Sequence, residues 1–141
     1  MESKSKPQLM PIALPQLGDS EIEAVSRVLR SGWVIQGPEV AAFESEFAQI
    51  CNVSNAVAVS NCTTALHLVL HALGIGPGDE VIIVSHSFVA TANAIVYCGA
   101  LPVFVDVHCD DFNMSPAAIE PAITKRTRAI LGSKPNKFLE G

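Results

Sequence analysis

The middle of this sequence lacks lysine and arginine. Residues 31–124 contain neither lysine nor arginine, and charged residues make up 16% of the whole chain, against roughly a quarter in an average soluble domain. An anion bound by this region must therefore be held by backbone N–H groups, hydroxyls or helix N-termini. A reaction that needs a lysine cannot take it from there. The formal net charge of −5 gives no electrostatic reason to expect a nucleic-acid partner.

Cysteine pairs and long apolar runs are also missing. The four cysteines form no C-x-x-C pair and no framework spacing, which indicates free thiols. No apolar run approaches the roughly 18 residues of a membrane span. The start, MESKSKPQLMPIALP, lacks the apolar segment of a secretory signal. We therefore expect a soluble, cytoplasmic protein with no membrane partner, whose low charge indicates a surface covered by another subunit or by further chain.

What is present is an alternation of helical and strand-like patterns. Residues 1–18 are rich in proline and predict an extended arm. Two helical stripes follow, one that stops at Gly32 and one that begins at Pro38. From Asn55 onward, the predicted strands AVAVS, EVIIVS, LPVFVDV and TRAIL alternate with helices, and the last of these, a short one, opens at residues 113–116. This order predicts an α/β fold with a doubly wound parallel sheet.

In such sheets, ligands bind outside the carboxyl ends of the strands. Residues 60–64, Ser-Asn-Cys-Thr-Thr, stand between the first strand and its helix. They could hold a phosphate on the free N–H groups of the first helical turn, or they could form an ordinary helix N-cap. Phe88 follows the second strand and could stack on a flat ring. Taken alone, however, it is better explained as an aromatic packed beneath the helix.

His67 and His71 have the four-residue spacing of metal ligands on a helix. The residues between them are Leu-Val-Leu, and no third ligand is evident, so we predict two histidines on the flank of a packed helix and no metal site. The acidic turn that contains Asp106, Asp110 and Asp111 is expected to be solvated rather than catalytic.

Several blocks of the sequence occur in the order and at the spacing of one known family. They are SGWVIQGPEVAAFESEFA, VAVSNCTTALHLVLHALGIGPGDEVI, SFVATANAI, GALPVFVDV and ITKRTRAI. Through them, residues 11–131 resemble the DegT/DnrJ/StrS family of sugar aminotransferases, which have fold type I and use pyridoxal 5′-phosphate (PLP). The resemblance implies that the chain is the N-terminal part of the large domain of such an enzyme, with a sheet covered by helices on both faces.

The resemblance also implies roles for particular residues. The phosphate-binding pair of the family falls on Cys62 and Thr63, and its ring-stacking aromatic falls on Phe88, in place of the packed role favoured above. Gly32 and Trp33 correspond to a loop on the sugar side of the site. The implied substrates are a nucleotide-linked keto-sugar and glutamate as amino donor, and the implied assembly is a homodimer with active sites near its interface.

The match ends at Leu131. Residues 19–131 are thus expected to be an incomplete large domain, and residues 132–141, GSKPNKFLEG, a polar tail foreign to the family. The Schiff-base lysine and the aspartate that pairs with the pyridine nitrogen lie beyond the match. Lys125, Lys134 and Lys137 lie outside the motif that carries the Schiff-base lysine in this family. We therefore assign no catalytic residue and expect the isolated chain to be inactive.

Two other functions stay open at this point. One is a sugar 3-dehydratase of the same family, in which histidine replaces the catalytic lysine. The other is a non-catalytic binding or interaction fragment that uses part of the fold.

Overall fold

The structure, a computed structural model, describes residues 14–132. These residues fall into two compact units, divided between Ala58 and Val59. Most of the predicted arm, residues 1–13, and most of the predicted tail, residues 133–141, lie outside the described part. No described helix is both long enough and apolar enough to cross a membrane.

The first unit contains two helices, α1 (Asp19–Ser31) and α2 (Pro38–Ile50). Gly32 ends α1 in the left-handed conformation, with φ of 72°, and Pro38 is the first residue of α2. The predicted end of α1 and the predicted start of α2 are therefore confirmed. A bidentate ion pair joins the two helices: Arg27 donates from Nε and Nη2 to the two carboxylate oxygens of Glu39, at 3.1 and 3.0 Å. Hydrogen bonding from Arg27 lowers the pKa of Glu39.

The second unit is built on a three-stranded sheet of order β2–β1–β3. Its strands are β1 (Glu80–Val84), β2 (Leu101–Val105) and β3 (Thr127–Leu131), and β1 pairs in parallel with both neighbours. The helices are α3 (Cys62–Ala72), α4 (Val89–Tyr97) and α5 (Pro116–Ile119), the last continued by a 3₁₀ turn (Glu120–Ala122). The predicted alternation of strands and helices is confirmed from residue 62 onward.

Strand β1 is buried on both of its faces. Residues 81–84 are each at most 1% exposed. The face that carries Val81 and Ile83 packs against α3 and α4, whereas the face that carries Ile82 and Val84 packs against α5 and the turn after it. A parallel strand covered on both sides reads as an unbroken apolar run, which is what EVIIV shows.

One predicted strand is wrong. The run AVAVS, residues 56–60, is not a strand and pairs with none of the three strands of the described sheet. Val57 is 79% exposed, and the N–H of Ala58 donates to the carboxylate of Glu44 at 2.8 Å rather than to a ladder. An apolar run becomes a strand only where another backbone accepts and donates its hydrogen bonds, and none of the described residues does so here. TRAIL, predicted as the fourth strand, is consequently the third.

Glu80, the first residue of β1, is the one charged side chain that is buried among the described residues. Its carboxylate pairs with Nη2 of Arg126 at 2.5 Å and accepts a hydrogen bond from the hydroxyl of Thr124 at 2.5 Å. Its own N–H donates to the carbonyl of Arg126 at 2.9 Å. These bonds fasten the chain just before β3 to the start of β1, where the pairing register of the two strands shifts.

We predict that Glu80→Ala destabilises the protein. The expected loss in free energy of unfolding is about 1.5–3 kcal/mol, the contribution of a hydrogen bond to a charged group. It should not reach the larger cost of a stranded buried charge, because the side chain of Arg126 is 64% exposed and can be hydrated. Urea unfolding followed by circular dichroism measures the change.

Glu120→Ala is the control for this experiment, because Glu120 is exposed in the same unit. A surface substitution of this kind should change the free energy of unfolding by no more than about 0.5 kcal/mol. Equal unfolding midpoints for the two variants would show that the Glu80 contacts do not stabilise the fold.

Candidate functional site

The N-terminus of α3 is capped by Asn61. The Oδ1 atom of Asn61 accepts hydrogen bonds from the N–H of Thr64 at 2.9 Å and from its hydroxyl at 3.2 Å. The hydroxyls of Ser60 and Thr64 lie 3.3 Å apart, within hydrogen-bond range. Ser60, Asn61 and Thr64 thus satisfy one another and hold the first turn of the helix in place.

Cys62 and Thr63 have hydrogen-bond donors that are not used within the described residues. Within residues 14–132, the backbone N–H groups of both residues and the hydroxyl of Thr63 have no hydrogen-bond partner. Cys62 is exposed and Thr63 is half-buried. Two free N–H groups at the positive end of a helix dipole are suited to an anion. Asn61 is therefore an ordinary N-cap, as one of the two interpretations of residues 60–64 predicts. The N–H groups of Cys62 and Thr63 are still available to donate to an anion, and phosphate binding by these two residues stays a prediction.

Phe88 lies between β1 and α4 as the N-cap residue of α4. Its side chain is 77% exposed, so the alternative of an aromatic packed beneath the helix is wrong. The hydroxyls of Ser87 and Thr91 lie 2.9 Å apart across the first turn of α4 and stabilise the backbone beside Phe88. An open aromatic face at this position can stack on a flat ring.

The connectivity of the α/β fold indicates that both features lie toward the same end of the sheet. A turn at Gly74, with φ of 73°, leads from α3 to the start of β1, so the N-terminus of α3 lies toward the end where β1 finishes. Phe88 follows that end of β1 directly. Leu66 of α3 and Ala92 of α4 pack against the same apolar cluster. The helix start that carries Cys62 and Thr63 and the loop that carries Phe88 are thus set by one shared core.

Gly32 and Trp33 belong to the first unit, whereas Cys62, Thr63 and Phe88 belong to the second. The indole Nε1–H of Trp33 donates to the carbonyl of Gln36 at 2.6 Å, and the ring is 56% exposed. A shallow depression in this unit is lined by Ser31, Gly32, Trp33 and Ile35. Two of its residues, Gly32 and Trp33, are those that the resemblance assigns to the sugar side.

The histidine pair forms an aromatic cluster with α4. The ring centroid of His67 lies 6.5 Å from that of His71 and 5.8 Å from that of Tyr97. In the part of the chain that the structure describes, no group of three or more His, Cys, Asp or Glu side chains could hold a metal ion. The acidic turn is exposed, as expected, and hydrogen bonds from Asn113 lower the pKa of Asp111.

The comparison with known proteins decides the family. Residues 15–134 match the DegT/DnrJ/EryC1/StrS aminotransferase family. The chain belongs to this family. The predicted membership is thereby confirmed, and so is the fold, the N-terminal part of a PLP-dependent transferase large domain with fold type I.

Individual relatives agree with this assignment. The spore coat polysaccharide biosynthesis protein SpsC of Bacillus subtilis is 48% identical over 122 residues, which cover 86% of this chain and 31% of SpsC. Among solved structures, Spr1654 from Streptococcus pneumoniae in its PMP form superposes with a TM-score of 0.84 at 36% identity and covers 87% of this chain and 31% of its own. DesV of S. venezuelae, in complex with a ketimine intermediate, gives 0.76 at 45% identity, covering 82% and 32%. The chain therefore spans about a third of the length of these proteins.

Asn61 is the site residue that the sequence analysis did not single out. The signal was present, since an asparagine directly before an apolar helical stripe is a strong N-cap pattern. Its role differs from that of its neighbours, because it consumes one N–H of the helix start rather than offering one.

We predict that Asn61→Ala lowers the free energy of unfolding by about 1 kcal/mol, the usual loss when an N-cap side chain is removed. Asn61→Asp should retain the stability, because a carboxylate accepts the same N–H bond and favours the helix dipole. Urea unfolding compares the two. Equal destabilisation by both substitutions would contradict a capping role.

Proposed function

We propose that this chain supplies the phosphate-binding and ring-stacking part of a PLP site, in an aminotransferase that transfers an amino group from glutamate to a nucleotide-linked keto-sugar. The observation that carries the proposal is the pair of N–H groups on Cys62 and Thr63 at a helix start, which have no hydrogen-bond partner among the described residues, in a chain of an aminotransferase family. A further support is that Spr1654, a structural neighbour, is known in a PMP form.

The donor set fits the phosphate of this cofactor. Residues 31–124 contain neither lysine nor arginine, so the negative charge would be held by the N–H groups of Cys62 and Thr63, the hydroxyl of Thr63 and the dipole of α3. The exposed ring of Phe88 would cover one face of the pyridine ring and exclude water from it. When bound, PLP supplies the electron sink that amino-group transfer requires.

The same residues cannot supply the proton transfer of the reaction. A lysine is needed to carry the cofactor and to move the proton. Residues 31–124 contain none, and Lys125, the one lysine in residues 14–132, lies outside the motif that carries the catalytic lysine in the family. We therefore propose that residues 14–132 bind and orient the cofactor but do not transaminate by themselves.

A sugar substrate is supported by the relatives. SpsC is a spore coat polysaccharide biosynthesis protein and is 48% identical to this chain over the matched residues. The exposed indole of Trp33 and the depression beside it would contact the sugar. Glutamate as the donor follows from the family resemblance.

We predict that Thr63→Ala and Phe88→Ala each weaken PLP binding, measured by equilibrium dialysis. The first removes a hydrogen bond to a charged group, with an expected loss of about 1.5–3 kcal/mol. The second removes a stacking contact, with an expected loss of about 0.5–1.5 kcal/mol beyond the area that it buries. Asn61→Asp should weaken binding while stability is retained, because it places a carboxylate beside the phosphate.

Conservative variants serve as the controls. Thr63→Ser keeps the hydroxyl and Phe88→Tyr keeps the ring, so both should bind PLP nearly as the parent does. Pyridoxal without its phosphate should be insensitive to Thr63→Ala. Unchanged PLP affinity in both alanine variants would remove this site assignment.

A homodimer is proposed on the family resemblance. It is consistent with the many large apolar side chains exposed on α1 and α2, among them Ile22, Val25, Leu29, Phe43 and Phe47. For an intact relative, we expect sedimentation velocity at micromolar concentration to show a species of twice the monomer mass. A monomer throughout that range would contradict the proposal.

A further inference from the structure

We propose that Gly37 is a positioning residue for Trp33: the missing side chain at residue 37 is what lets the indole lie over the start of α2 in a fixed orientation. The inference rests on the proposed function in one respect, namely that the exposed face of this indole contacts the sugar. The positioning itself is read from the geometry of the first unit.

The indole lies where a side chain at Gly37 would have to be. A Cβ built on Gly37 would meet Cδ1 of Trp33 at 2.5 Å and Cε2 at 2.8 Å, with Nε1 closer still. Real Cβ atoms essentially never approach other heavy atoms below 3.0 Å. Any residue other than glycine at this position would therefore displace the indole or shift the backbone.

Neither the backbone conformation nor helix capping explains why residue 37 is glycine. Its φ of −173° is extended backbone, which any residue adopts. It is also the N-cap of α2, yet no side chain makes a cap hydrogen bond there, although Ser, Thr, Asp or Asn would do so. Among the described contacts of Gly37, the close approach of Trp33 is the one that excludes a side chain.

Three hydrogen bonds hold the indole and its backbone on this side. The Nε1–H of Trp33 donates to the carbonyl of Gln36 at 2.6 Å, and its backbone N–H donates to the hydroxyl of Ser31 at 3.1 Å. That hydroxyl in turn donates to the carbonyl of Val28, in the last turn of α1, at 2.7 Å. The ring is still 56% exposed and lines the depression beside it. It is therefore an ordered, open aromatic wall, which binds a ligand without first having to be immobilised.

The chain contains a single tryptophan, so its fluorescence reports on this ring alone. In Gly37→Ala we expect a red shift of the emission maximum and a higher acrylamide quenching constant, because the indole leaves the helix start. Gly37→Ser introduces the same Cβ together with a preferred N-cap, so α2 is retained and the same spectral change should appear. Parent-like spectra in both variants would overturn the proposal.

Gly18→Ala is the matched control. Gly18 is the N-cap of α1 in the same unit, with φ of −131°, and the nearest atom to its added Cβ would be a carboxylate oxygen of Glu21 at 3.6 Å, an ordinary contact. Tryptophan emission and quenching should be unchanged. A shift equal to that of Gly37→Ala would mean that the signal reflects general loosening of the unit, and would also overturn the proposal.

A double-substitution cycle separates positioning from the proposed sugar contact. UDP-glucose is the probe, and its affinity is measured by equilibrium dialysis. Gly37→Ala should weaken binding about fivefold while Trp33 is present, and should have no further effect once Trp33→Leu has removed the ring. Equal losses in both backgrounds would overturn the proposal, because Gly37 would then act independently of Trp33. If the parent chain does not bind UDP-glucose, the sugar-side role in the proposed function fails, and the fluorescence result alone decides the positioning.

Discussion

The burial of β1 on both faces is the constraint on which the second unit depends. Four consecutive side chains, residues 81–84, have almost no contact with water, and they can be covered only if helices lie on each side of the sheet. That requirement brings α3 and α4 to one face and α5 to the other. The orientation of α3, and with it the position of its N-terminus, follows from the same packing.

The two ends of β1 differ in what they contribute: the first stabilises the fold, and the second leads to the proposed binding residues. At its start, the buried carboxylate of Glu80 is neutralised by Arg126, which fixes where β3 pairs. At its far end, the chain leaves the sheet into an exposed loop that carries Phe88. The proposed binding groups lie toward that far end, so the ion pair stabilises the fold without placing a cation near the site. The groups proposed to bind the phosphate are therefore neutral N–H donors.

The parts of the fold that local sequence determines were predictable. The ends of α1 and α2 follow from Gly32 and Pro38, and β1 follows from an unbroken apolar run between turns. The run AVAVS was not predictable, because a strand needs a partner and Val57 faces water instead. Likewise, the exposure of Phe88 depends on which parts of the chain pack near α4, and the local sequence does not determine this. The contact between Gly37 and Trp33 depends on the orientation of the indole, which residue spacing does not predict. Residues 60–64 were selected from their place before a helix, and the family resemblance then pointed to Cys62 and Thr63 within them. The capping role of Asn61 could have been predicted from the same pattern, and the hydrogen bonds identify it.

The residues at the start of α3 have different roles, and these roles determine how well each position should tolerate substitution. Cys62 offers its backbone N–H, and its thiol is exposed, so the identity of the side chain at residue 62 is of little importance to an anion bound there. Thr63 would contribute a hydroxyl as well, whereas Oδ1 of Asn61 accepts the hydrogen bond that caps the helix. Variation should therefore be tolerated at residue 62 and resisted on either side of it. An exposed thiol in that tolerant position is also a natural attachment point for a spectroscopic label beside the proposed site.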